Sequence, residues 1–170
     1  MKTKVVLTLC VVFVWGLVSS VNAQVQAGSP EDKAFQQIDA EANVDSKLSL
    51  LLKFEKDFPQ SRALRDVYLA VIPIYQQKND QGKVIEFGEK LIKVDADNLS
   101  ALLTLSRAYS LERKNLDRAV QYAEKAVVIT GQLKKQAPQN GYSDEQWKQY
   151  LESNEQLAKS YLSYARSLKP

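Results

Sequence analysis

The chain contains no histidine, and its one cysteine is Cys10. Without imidazole there is no Ser-His-Asp relay and no other His-based acid-base pair. With a single thiol, an internal disulfide and a Cys-His zinc cluster are excluded as well, and so is thiolate catalysis anywhere beyond the N-terminal run. Glycine-rich phosphate loops and a nucleophile elbow are also missing. No basic block of the kind that neutralises a phosphate backbone occurs, so nucleic acid is not an expected partner. What remains points to a non-catalytic protein with no cofactor and no metal.

The only long apolar stretch sits at the start. Lys2 and Lys4 precede Val5–Val18, a charge-free run that leads to Val21-Asn22-Ala23. As a helix, such a run rises ~21 Å, short of the ~30 Å hydrocarbon core of a bilayer. This is the pattern of an export signal over 1–23, with cleavage before Gln24 and a periplasmic or extracellular destination. The alternative is an uncleaved membrane anchor over 5–18, because no charge occurs between Lys4 and Glu31. Cys10 lies inside the apolar run, too early for a lipid-modified cysteine. Of 23 basic residues the signal takes two, which leaves a net charge of about +1 against 20 acidic residues. The remainder, 24–170, has the length of one ordinary domain.

From Ser29 onward apolar residues recur every three or four positions with no sustained alternation, so the domain reads as all-α with about seven helices. SPEDKAFQQIDAEA opens the first: Ser29 caps it, Pro30 suits the first helical position, and Phe35 and Ile38 point inward. The second, DSKLSLLLKFEKDF, is expected to start from a cap on Asp45 and to stop at Pro59. The third spans about 62–78 and contains Pro73, and KNDQG turns it into the fourth, KVIEFGEKLIKV. The fifth covers about 99–113, and RKNLD turns it into the sixth, about 119–135. A longer loop over 136–146, with Pro138 and Asn140-Gly141, leads to the seventh, for which Ser143 and Gln146 form a capping box. Glu86 with Glu89 and Asp95 with Asp97 lack the alternating oxygens of a calcium loop and read as solvated surface beside Lys90 and Lys93. Trp147 reads as a packing residue. Asn98-Leu99-Ser100 matches a glycosylation acceptor but falls at a helix start.

Repetition is the most informative feature. Tyr75 and Tyr109 are 34 residues apart, and each follows an aliphatic residue four positions earlier, Val71 and Leu105. The better copy reads Leu102, Leu105, Ser106, Tyr109, and it returns as Leu157, Ala158, Tyr161. On the following helix Ala119, Ala123 and Ala126 supply small side chains, where the previous unit has Val84, Gly88 and Leu91. Small residues on both partners let helix axes come to the short end of the ~8–10 Å packing range. These residues resemble the tetratricopeptide repeat family, most closely over 99–129 and more weakly over 33–169. The chain also looks similar to exported bacterial members with units such as KFEKDFP and YQQKND. The resemblance implies a right-handed α-solenoid of antiparallel helix pairs, about 30–58, 61–95 and 98–136, with an unpaired or capping helix over 143–169.

The same resemblance implies a binding scaffold whose first helices line a concave groove for a protein or peptide. Carried across residue by residue, it places Asp66, Leu69, Gln76 and Gln77 in that groove from the third helix. Ser100, Leu103, Arg107, Ser110 and Leu111 follow from the fifth, and Glu152, Glu155 and Lys159 from the seventh. Leu69 and Pro73 stand where a carboxylate clamp needs polar residues, and Arg107 is the one central cation, so a chaperone-tail clamp is not expected. The alternative is a cell-envelope structural or assembly component, anchored or periplasmic, that acts as a spacer without a discrete ligand. The unpaired last helix leaves the face of Leu157, Tyr161 and Leu168 to serve as a cap, to meet a second copy in a homo-oligomer, or to continue into further repeats.

Overall fold

The computed structural model describes residues 27–139 and 141–169. The export-signal reading of 1–23, with its choice between cleavage and anchoring, lies outside those residues. Among the described residues there are seven α-helices and no strand. They are α1 Pro30–Ala40, α2 Val44–Asp57, α3 Leu64–Gln77, α4 Gln81–Val94, α5 Leu99–Glu112, α6 Leu116–Leu133 and α7 Asp144–Ser167. None of them is long and apolar enough to cross a membrane.

Helix starts follow from side chains that accept the first free N–H groups. Ser29 Oγ accepts from Asp32 N at 3.1 Å, and Ser143 and Gln146 exchange both bonds of a capping box. Asp80 caps α4 and Asn98 caps α5, so the Asn98-Leu99-Ser100 acceptor pattern is folded into a helix start. Two starts differ from expectation. The cap of α2 is Asn43, whose Oδ1 takes both Asp45 N and Ser46 N at 3.0 Å, so Asp45 falls inside the first turn. Helix α6 begins at Leu116, three residues before Ala119, from an Asn115 in the left-handed region. Pro73 stays within α3 because its ring is on the exposed side, where the lost N–H bond faces water.

Each helix packs on its neighbours in the chain, and α5 also lies on α7. The α1–α4 half has a conventional core of large side chains, with Leu51, Phe54, Val67, Val71, Val84, Phe87 and Leu91 almost fully buried. The α5–α7 half is different. Ser106, Ala119, Ala123, Ala126, Ala158 and Ala165 are all completely buried, and larger groups such as Leu102, Leu105 and Tyr109 fill the space beside them. A close approach at Gly88 joins the two halves. A Cβ placed on Gly88 of α4 would stand 2.7 Å from Leu105 Cδ2 and 2.9 Å from Leu105 Cγ. Only hydrogen fits there.

The repeat slips by one residue at a turn. Tyr75 and Tyr109 are 34 apart, and the turns after them match, with Asn79 at φ 55° and Arg113 at φ 50°. Asp80 N reaches Tyr75 O at 3.0 Å and Lys114 N reaches Tyr109 O at 3.2 Å, the same bond in each unit. Asp80 then caps α4 directly, whereas one further residue, Asn115, intervenes before α6. Hence Phe87 and Tyr122 correspond at a spacing of 35, and they do the same work: Phe87 stacks on Tyr75 at 5.5 Å and Tyr122 on Tyr109 at 6.3 Å.

A series of carboxylates with the same period ties each second helix to the helices after it. Glu55, Glu89 and Glu124 lie 34 and 35 residues apart on α2, α4 and α6. Glu55 accepts from the Tyr68 hydroxyl at 3.0 Å and pairs with Lys90 at 2.8 Å. Glu89 accepts from the Tyr109 and Tyr122 hydroxyls at 2.9 and 2.8 Å and pairs with Arg118 at 3.0 Å. Glu124 pairs with Arg166 at 2.7 Å. Glu89 is therefore not a solvated partner of Lys90 or Lys93, because its neighbours across the helix interface reach it first. Glu86 does pair with Lys90, at 3.0 Å, and with Lys83 at 2.8 Å. Burial, and then the bond to Glu55, pushes the Tyr68 hydroxyl up to about 12. Burial and Glu89 raise Tyr109 and Tyr122 in the same sense.

Candidate partner-binding groove

The first helices of the pairs, α3 and α5, together with α7, form one face with two clefts. One cleft, of about 330 Å³, is lined by Gln76 of α3, Ser100, Leu103, Thr104 and Arg107 of α5, and Tyr150, Asn154, Leu157 and Tyr161 of α7. The second, of about 460 Å³, runs from Arg65 and Leu69 of α3 past Asn98 to Gln132 of α6 and the aromatic residues Tyr142, Trp147 and Tyr150. Ser100 and Tyr150 line both, so the two lie next to each other. Direct packing of α5 on α7 makes the floor: Ala158 and Ala126 are fully buried there, which lets Leu103 sink to 5% exposure while still lining the cleft.

The expected groove residues divide. Leu69, Gln76, Ser100, Leu103 and Arg107 do line the clefts. Asp66, Gln77 and Leu111 are elsewhere on the surface, outside both; Asp66 pairs with Arg65 at 3.0 Å. Ser110 is buried and its hydroxyl donates to Ser106 O at 2.8 Å, so it has nothing to offer a partner. Glu152, Glu155 and Lys159 lie on another flank of α7 with Gln156, Ser160 and Ser163. There Glu155 is bound by Lys134, the residue that caps the end of α6, and by Lys159, and those hydrogen bonds hold its carboxyl down at about 2.

The motif Leu157-Ala158-Tyr161 suggested that α7 repeats α5 at an offset of fifty-two, and Ala158 is fully buried as Ser106 is. At that offset Glu152, Glu155 and Lys159 correspond to the side of α5 that faces α7, and on α7 that side is a flank of its own, whereas the wall of α7 towards α5 is made by Tyr150, Asn154, Leu157 and Tyr161. Leu157 is 38% exposed where Leu105 is fully buried.

Charge along the groove is uneven. In the larger cleft the ionic groups already have partners: Arg65 Nε donates to Asp95 Oδ2 at 2.8 Å, and Lys125 pairs with Asp97 at 2.9 Å. Burial works against a charged Asp95, but hydrogen bonds from Asn98 and Arg65 outweigh it and hold the carboxyl below its ordinary value. In the smaller cleft Arg107 is exposed and has no ion-pair partner among the described residues; its neighbours there are the uncharged Gln76, Ser100, Thr104 and Asn154. Among the described residues no three side chains of metal-ligating type converge. Trp147 is 6% exposed, in keeping with a packing residue, yet it also walls the larger cleft. No protein-family model matches the chain, and no curated protein matches it.

Proposed function

We propose that the protein is an exported, non-catalytic helical-repeat scaffold of the tetratricopeptide type, which holds an extended protein segment along the face of α3, α5 and α7. The observation that carries this reading is the adjacency of the two clefts, which share Ser100 and Tyr150, with a guanidinium at Arg107 that has no ion-pair partner among the described residues. A concave, mixed apolar and polar channel suits a segment that lays alternate side chains into pockets while its backbone bonds to Gln76, Thr104 and Asn154. The lone cation favours an acidic side chain or carboxylate beside it, since a guanidinium pairs well with a carboxylate in a partly dry site. The absence of histidine supports a binding role over catalysis.

Selection from a random peptide display library tests this. Enriched peptides are expected to carry an acidic residue and to lose about tenfold in affinity to Arg107→Glu, the equivalent of ~1.4 kcal/mol. Enrichment of nothing, or of peptides indifferent to Arg107→Glu and to Leu103→Asp, removes the groove and favours a spacer in the cell envelope.

A further inference from the structure

Helix α7 carries two apolar columns. One, with Leu151, Ala158 and Ala165, is buried against the rest of the protein. In the other, Tyr150, Ser153, Leu157, Ser160, Tyr164 and Ser167 follow one another at alternating steps of three and four, the spacing of a coiled-coil seam. Leu157, Tyr164 and the three serines are exposed on it, and Tyr150 is half-buried.

Charge is sorted by side. Between Gln146 and Leu168 the charged residues are Lys148, Glu152, Glu155, Lys159 and Arg166. At about 100° of turn per residue, all five fall more than about 100° from the middle of the seam. The seam and both its flanks are therefore free of charge over about six turns, in a chain that is 25% charged. Exposed helix faces ordinarily carry charge, whereas loss of charge with tyrosine and leucine in its place is the composition of an interface centre.

The order of sizes names the occupant. Large residues alternate strictly with serine, and the series is its own complement when reversed. In an antiparallel pair about a twofold axis between Leu157 and Ser160, Leu157 faces Ser160 of the second copy, Tyr164 faces Ser153 and Tyr150 faces Ser167. Every large side chain then enters the space that a serine leaves. Ser160 Oγ donates to Gln156 O at 2.9 Å and Ser167 Oγ to Tyr164 O at 2.8 Å, so covering these two serines strands no donor. Neutrality suits the same partner, because a charge near a twofold axis meets its own copy.

We propose that α7 joins two copies of this chain as an antiparallel helix pair along the seam from Tyr150 to Ser167. The inference does not depend on the groove reading, although Tyr150 and Leu157 also wall the smaller cleft and the second copy would stand beside it. One helix on one helix is a small contact beside the ~1,600 Å² of a standard interface, so the pair should form at micromolar concentrations.

Sedimentation of the full chain from about 1 to 500 μM should show a mass rising to twice that of one chain. Ser160→Lys places a charge near the axis and should weaken the pair about tenfold or more, with thermal unfolding of the single chain unchanged. Lys148→Glu, on the charged side, should alter it by less than about twofold. Mild oxidation in a Cys10→Ser background reads the direction. Chains with Ser153→Cys should cross-link to chains with Tyr164→Cys. Ser153→Cys alone should not, because its two copies lie eleven residues, about 16 Å, apart along the pair. A chain that stays monomeric over the whole range leaves this face to another protein and overturns the proposal. A dimer that survives Ser160→Lys is held elsewhere, and one in which Ser153→Cys cross-links to itself is parallel; either result overturns it as well.

Discussion

Replacing Gly88 with alanine sets two known effects against each other at one atom. In a helix interior alanine is favoured over glycine by about 0.8–1.0 kcal/mol, so an unhindered site would gain. Here the new methyl would fall 2.7 Å from Leu105 Cδ2 and 2.9 Å from Leu105 Cγ. Leu105 is completely buried between α4, α5 and α6, so its side chain has nowhere to swing. Overpacking of this kind costs about 1–3 kcal/mol. The balance is a loss of about 1 kcal/mol, or ~2–4 °C in the thermal midpoint for a domain of this size. In a Leu105→Ala background, itself about 2–5 kcal/mol less stable, the methyl meets open space and the sign should reverse to a gain of about 1 kcal/mol. The two single variants and the double, compared by urea unfolding with unchanged slopes, thus close a cycle with a coupling of about 2 kcal/mol. If Gly88→Ala raises the midpoint equally in both backgrounds, α4 and α5 are not in contact at this point and the packing argument fails.

The same nesting predicts that Ala126→Leu, at a fully buried site between α5, α6 and α7, loses about 1–3 kcal/mol in calorimetry. Tyr68, pushed up to about 12 in the fold from an ordinary value of 10.0, contributes stability that is complete below pH 10 and is lost as pH rises through about 12. Ultraviolet titration should therefore show a late-ionising tyrosine that Glu55→Gln moves towards the normal range. Glu155 behaves in the opposite sense, since its carboxyl is held at about 2 against an ordinary 4.5. Its contribution is present above pH 4.5 and disappears as pH falls through about 2, and carbon-detected NMR titration should find the value moving up in Lys134→Met.

The helices were legible because each is written locally. Ser29, Ser143 with Gln146, and the turns KNDQG and RKNLD announce their ends within a few residues. The two misplaced starts, at Asn43 and Asn115, share a cause: asparagine caps or turns the chain one or more positions before the first strong apolar residue, and nothing in the apolar pattern marks it. The small-residue positions were legible too, since Gly88, Ser106, Ala119, Ala123 and Ala126 stand out where large residues are usual. The groove on α7 was not. The residues were carried across from the side of α5 that faces α7, and the same positions on α7 form a separate flank, so the cleft is walled instead by Tyr150, Asn154, Leu157 and Tyr161. The Glu55, Glu89 and Glu124 series lay in the sequence at repeat spacing, but its meaning depends on partners in other helices, which spacing alone does not supply.

The most direct test of the account is to map where a selected segment sits, by amide shift changes in the nitrogen-15 spectrum of the bound protein. The account predicts changes at Gln76, Ser100, Thr104, Arg107, Tyr150, Asn154 and Tyr161, with the amides of Glu152, Glu155 and Lys159 little affected. Changes centred on that second flank of α7, or on the outer sides of α4 and α6, would contradict it.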